Sequence, residues 1–322
     1  VAIVDLAVTK NDLVVGTLGR SAWILDDLGA IRETGDVPPT PEARLYPPPP
    51  TTAWHYEAKW GVVASEEGKA ANPPKGVQVT YYLPEEPATP ITLEVLDGQG
   101  NLVRTLRSEL EPKYTPPDHP DWNPTTEDEP ALTTRKGFNR AAWDLRYEPV
   151  RWDIGSRLDW GAPSPNPPVL PGEYMLRLTV GDRVLTQTAS VAADPRSSAA
   201  LEHMQAQSSF TLQQRATLVR LKELVLKVRS VRDQIAAHQS RLPAKSELNA
   251  AATDIDAKLE TIESALHNPG SEVAYDILAG REGGGKLASR IKMLVGSASD
   301  HPGPPTQGML EVGVRIHAEH HA

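Results

Sequence analysis

The hydrophobic period changes once along this chain, near residue 199, and that change divides what it can fold into. Before it, apolar residues alternate in short runs broken by proline and glycine; after it they recur in steps of four and three. Alternation puts side chains on one face of a pleated strand, whereas four-and-three stepping lines one side of a helix. Most of the 30 prolines lie in the first two-thirds, where a missing N–H and a fixed φ keep strands short. The chain is expected to be β-rich first and helical afterwards.

Val1–Val8, Asp12–Thr17 and Ala22–Leu25 read as three strands, the last two joined by Leu18-Gly19-Arg20-Ser21, where Gly19 can take a positive φ. Two or three strands bury too little to stand alone, and the chain opens at a Val rather than a Met. Residues 1–36 are therefore expected to be the remnant of a larger β-structure, in the C-terminal part of a longer chain. Val37–Pro50, with Pro38, Pro39, Pro41 and the run Pro47–Pro50, is expected to be a stiff polyproline spacer outside any sheet.

Residues 51–193 read as all-β. Strands are expected over Val77–Leu83, Thr92–Leu96, Leu102–Leu106, Phe138–Tyr147, Glu173–Val180 and Arg183–Val191, with turns at Asp97–Asn101 and Gly181-Asp182. Short strands at these spacings suggest an immunoglobulin-like β-sandwich. The intervening loops, Glu111–Pro130 and Glu148–Pro171, are long enough to be either functional or disordered.

Residues 194–322 are expected to form a C-terminal antiparallel helical bundle of three or four helices. Leu218, Leu221, Val225, Val228, Val231 and Ile235 make one stripe. Leu248, Ala252, Ile255, Leu259, Ile262 and Leu266 step 4-3-4-3-4, an apparent heptad seam, and Leu287, Ile291, Leu294 and Ala298 repeat the pattern. Leu242-Pro243 and Asn268-Pro269-Gly270 are the breaks between helices, and residues 306–320 are a weaker fourth helix. Burial of the seam would make Ile255→Ala as costly as any large-to-small core change.

Composition narrows the function classes. A net charge of −9 without a Lys/Arg run argues against a nucleic acid or an anionic membrane as partner. Without cysteine there is no disulfide, zinc-thiolate or cysteine-nucleophile chemistry. No apolar run approaches the length of a membrane span.

Each candidate for chemistry has a plainer structural role beside it. Glycoside hydrolysis needs two carboxyls flanking the scissile bond, but Asp26 and Asp27 are adjacent and would point to opposite faces of a strand. Ending the strand and holding its turn suits them better. The acidic loop with Asp118, His119, Asp121, Glu127, Asp128 and Glu129 lacks the ligand spacing of a calcium loop. His317 and His321 share the i, i+4 spacing of a zinc helix but lack the Glu that follows the first His of that motif. No catalytic residue, metal site or cofactor is therefore expected. Seven Trp and eight Tyr against two Phe favour half-exposed aromatic positions. Trp122, Trp152, Arg157 and Trp160, in the long loops, are the ligand-contact candidates: flat rings beside polar groups suit a carbohydrate or a protein surface. They would serve equally to seal the edge of the sandwich.

The order of parts brings in a resemblance. Asp12-Leu13-Val14-Val15-Gly16-Thr17, Gly19-Arg20-Ser21 and Trp23-Ile24-Leu25-Asp26-Asp27 resemble the closing blade of bacterial sortilin-type, neuraminidase-repeat β-propeller proteins, commonly labelled glycosyl hydrolases. Leu93–Asp97, Gly100–Arg104, Gly137–Arg140, Trp143–Tyr147, Trp160-Gly161, Pro171–Tyr174 and Asp194–Arg196 resemble that family's C-terminal region. The resemblance implies a multidomain β-plus-α chain: terminal propeller-blade strands, an immunoglobulin-like sandwich and an antiparallel helical bundle. It also implies an exported, periplasmic or extracellular protein whose partners are upstream propeller blades of the same chain, with a carbohydrate or protein as further ligand. Under it the chain is a non-catalytic accessory region. The alternatives are part of a glycoside hydrolase whose active site lies in the propeller, or a carbohydrate-binding module.

Overall fold

The computed structural model describes residues 2–35, 41–54, 75–109, 131–150, 166–243, 245–267, 285–301 and 303–321. They divide into two compact units. One contains the described residues of 2–109, 131–146 and 170–197, and the other those of 147–150, 166–169 and 198–321.

The first unit opens with β1 (Ile3–Val8), β2 (Leu13–Thr17) and β3 (Ala22–Leu25), an antiparallel sheet in that order. A short helix, α1 (Gly29–Thr34), follows, then β4 (Arg44–Leu45) and β5 (Thr51–Ala53). Next come β6 (Val77–Leu83), β7 (Thr92–Leu96), β8 (Leu102–Arg107), β9 (Gly137–Trp143), β10 (Gly172–Val180) and β11 (Arg183–Ala193). They make a five-stranded sheet, β5-β11-β10-β7-β8, and a three-stranded one, β4-β6-β9.

Alternation explains the core between these two sheets. Val77, Val79, Tyr81 and Leu83 of β6 are fully buried, as are Leu93 and Val95 of β7 and Leu176 and Leu178 of β10. Trp143 of β9 meets Tyr174 of β10 edge-on at 5.0 Å, and its indole N–H donates to the Arg146 carbonyl at 3.0 Å. The polar tip of that buried aromatic is thereby satisfied. Strand β6 is buried on its other face too. Tyr82 packs with Tyr46 and with Ala30 of α1, and Phe138 stacks on both tyrosines at 5.8 and 5.6 Å.

These observations correct the expected fold class. The strands lie close to where alternation put them, but the described residues form a mixed α/β arrangement of three sheets and five helices, and none of the sheets closes into a propeller. In an immunoglobulin-like sandwich the outer face of each sheet would be solvated; here α1 covers the outer side of β6. The stretch expected as a spacer supplies β4, which pairs antiparallel with β6. Just beyond it, β5 adds to β11 in parallel. Arg44-Leu45 lies between the proline clusters and keeps both of its N–H groups, so nothing bars it from an edge position.

In the second unit, α2 (Leu201–Gln239), α3 (Glu247–Leu266), α4 (Leu287–Asp300) and α5 (Gln307–His321) surround one apolar cluster. It is built from Phe210, Leu218, Leu221 and Val225 of α2, Leu287, Ile291, Leu294, Val295 and Ala298 of α4, and Ile316 of α5, with Val150 alongside. Among the described residues no helix is long and apolar enough to cross a membrane.

Helix α3 departs from expectation. Only one side of its heptad seam is covered: Leu248, Ile255 and Ile262 are exposed, Ile255 at 48%, Ala252, Leu259 and Leu266 are half-buried, Leu266 against the apolar cluster, and Glu263 is the fully buried residue of the helix. A second 4-3-4 series runs beside the apolar one, Asp256, Glu260, Glu263 and His267. That polar stripe meets Arg229 and Arg232 of α2. Ile255→Ala therefore falls in the range of surface changes, not of core cavities.

Candidate docking surface on the N-terminal sheet

The register of the first sheet sorts its side chains onto two faces. Directly paired residues share a face and neighbours along a strand alternate. Leu6 pairs with Val15 and Val15 with Trp23; Val8 pairs with Leu13 and Leu13 with Leu25. Ile3, opposite Thr17, joins the same face. The result is an uncharged surface of Ile3, Leu6, Val8, Leu13, Val15, Trp23 and Leu25. Ile3 is 62% exposed, Leu6 57% and Trp23 61%. The opposite face carries Val4, Ala7, Val14 and Ile24, interrupted by Asp5, Gly16 and Ala22.

One end of this sheet is laced to the rest of its unit. The β1–β2 turn closes through Thr9 N–H to the Asp12 carbonyl and Asp12 N–H to Thr9 Oγ1, both 2.9 Å. Asp12 Oδ1 accepts from Asp27 N–H at 3.1 Å, and Leu28 N–H donates to the Asn11 carbonyl at 2.7 Å. From α1, the Arg32 guanidinium reaches the Lys10 carbonyl at 2.6 Å. From β9, Arg140 Nη2 spans the carbonyls of Asp26 and Asp27 at 2.6 and 2.9 Å. Asp27 adopts φ 56°, and its carboxylate accepts from Gly29 N–H at 2.9 Å. These bonds fix the base of the strands. At the far turn, Trp23 Nε1 donates to the Arg20 carbonyl at 3.1 Å, which holds the exposed indole in one orientation.

The β1 edge is protected against further pairing. The register shifts between Ile3 and Asp5, and the Asp5 carboxylate accepts from Leu6 N–H at 2.9 Å. A bulge and an acidic side chain on an edge are two of the devices that discourage strand addition. The face is thus the more accessible route to contact.

The candidates read from sequence fare differently. Trp122, Trp152, Arg157 and Trp160 lie outside the described residues, as does the acidic loop from Asp118 to Glu129. Asp26 and Asp27 lie at the end of β3: both backbone carbonyls accept from Arg140, and the Asp27 carboxylate caps Gly29. His317 lies exposed on α5, while the side chains of His320 and His321 are outside the described residues. Among the described residues no three His, Asp or Glu side chains converge as metal ligands would. The apolar face was missed because it needs a register: the strands are legible from alternation, but the cross-strand partners are not. In comparison with known proteins, no family model and no curated protein matches this chain.

Proposed function

We propose that this chain is a non-catalytic accessory region that docks onto other β-structure of a larger, exported, propeller-bearing protein. The observation that carries the proposal is the uncovered, uncharged face of Ile3, Leu6, Val8, Trp23 and Leu25 on a sheet fixed at its base. Such a face suits another apolar sheet face stacked on it at the usual spacing of about 10 Å. Contiguous exposed apolar surface is otherwise costly in solution and marks an interaction site. The segments Asp12–Thr17 and Trp23–Asp27, by their likeness to propeller-protein sequences, support β-structure as the occupant.

Two measurements test the proposal. The native chain is expected to bind an apolar fluorescent dye such as anilinonaphthalene sulfonate at neutral pH, and Leu6→Lys combined with Trp23→Lys is expected to remove most of that signal. Equal dye binding by both proteins would sink the docking surface. The chain is also expected to hydrolyse aryl-glycoside, sialoside and polysaccharide substrates no faster than background. Turnover that disappears on Asp26→Asn or Asp27→Asn would contradict the non-catalytic role.

A further inference from the structure

Among the described residues, helix α3 meets the apolar cluster through the half-buried Leu266, and its fully buried contacts are ionic. Helices α2, α4 and α5 hold one another through apolar side chains, Leu218, Leu221, Val225, Ile291 and Ile316 among them. In α3 the buried residue is a carboxylate, Glu263, 4% exposed, and it touches His267 at the C-cap, 2% exposed. Glu263 Oε1 accepts from Arg229 Nε at 2.6 Å and from His267 Nε2 at 3.1 Å, and its Oε2 accepts from Arg232 Nη1 at 3.1 Å. Arg232 also donates to Asp256 at 2.8 Å and lies 3.6 Å from Glu260.

We propose that α3 is an acid-released arm: protonation of the buried His267–Glu263 pair loosens α3 from α2 and α4 while the apolar core of the other three helices stays intact. The charged groups around His267 give the direction. Its own helix offers Glu263, α2 offers Arg229 with Arg232 behind it, and α4 offers Lys292, itself buried. At neutral pH the imidazole is uncharged and donates from Nε2 to the carboxylate. Adding a proton sets a third cation beside the partly exposed Arg229 and the buried Lys292, with Glu263 as the near anion.

Burial, and then the Arg229 charge, push the His267 imidazole down to about 4, against an opposing pull from Glu263. Burial pushes the Glu263 carboxyl up, but the hydrogen bond and charge of Arg229 and the hydrogen bond from His267 outweigh it and hold it below the ordinary range. A group whose pKa is depressed on docking favours the docked state above its free pKa and ceases to do so as pH falls through the docked one. For His267 the window runs from about 6.5 down to about 4, and Glu263 acts in the same direction at its lower end. The imidazole alone implies a loosening of about twenty-fold between pH 7 and pH 5.

Amide hydrogen exchange of the whole chain, resolved by helix and corrected for intrinsic rates, tests this directly. Protection of residues 247–266 is expected to fall about twenty-fold from pH 7 to pH 5, with α4 and α5 unchanged. In His267→Gln, which keeps an N–H donor for Glu263 but cannot ionise, the fall is expected to vanish. Equal loss in α3, α4 and α5 of the native protein would overturn the proposal, as would no loss at all. So would a His267→Gln profile that still follows the native one.

Discussion

Alanine at position 76 is expected to destabilise the β unit by at least about 3 kcal/mol, more than a point change at the surface can. Gly76 precedes β6 with φ 95°, a conformation that L side chains avoid. A Cβ there would lie 1.9 Å from the Trp143 carbonyl oxygen and 2.8 Å from its carbon. Those are backbone atoms of β9, paired to β6 through Val77 and Trp143, so no rotamer relieves the clash and the two strands must part. Because Trp143 fills the core and meets Tyr174, the displacement reaches both sheets. Gly98 is the control. It has open space around it and lacks the positive φ, so Gly98→Ala should stay within about 0.5 kcal/mol of the parent. Urea unfolding of the two variants reads the difference, and similar midpoints would contradict the close approach at position 76.

Glu263→Ala is expected to be the most damaging change in α3, at about 3–5 kcal/mol. It strips Arg229, Arg232 and His267 of a shared acceptor in a buried place. Asp256→Ala removes a carboxylate that is a third exposed, and partly solvated pairs contribute about 1 kcal/mol or less. Ile255→Ala should likewise be mild, since half of that side chain already meets water. If helical ellipticity shows Ile255→Ala to be as costly as Glu263→Ala, then α3 is held by an apolar seam, and ion pairs are not what attaches it.

That contrast also shows how far periodicity carries a reader. The elements were largely legible, because alternation and four-and-three stepping are properties of a local chain: β6, β7, β10 and α3 fall close to the segments expected for them. Their partners were not. On α3 two series share the same spacing, and hydrophobicity favours the apolar one, of which only Ala252, Leu259 and Leu266 are half-buried. The face turned to α2 was decided by Arg229 and Arg232, which lie about 30 residues away in sequence. The short strand β4 was hidden for a related reason. Proline dominates its neighbourhood, and only the free edge of β6 makes Arg44-Leu45 a strand.

The docking face was half legible. Its residues were read as strands, yet Leu6, Val15 and Trp23 become one surface only through two successive registers. The anchoring bonds from Arg32 and Arg140 are equally invisible locally, since Arg140 acts across more than a hundred residues. The two adjacent aspartates were legible in kind. Turn chemistry suits them, and Asp27 takes it up with a positive φ and a cap to Gly29.

Thermal unfolding of the Leu6→Lys, Trp23→Lys double variant tests the uncovered sheet face most directly. Neither side chain belongs to an internal core, so the midpoint is expected to lie within about 2 °C of the native chain, even as apolar-dye binding is lost. A fall of about 10 °C or more would mean that these residues pack inside the protein, and the sheet would be a structural layer with no surface to offer a partner.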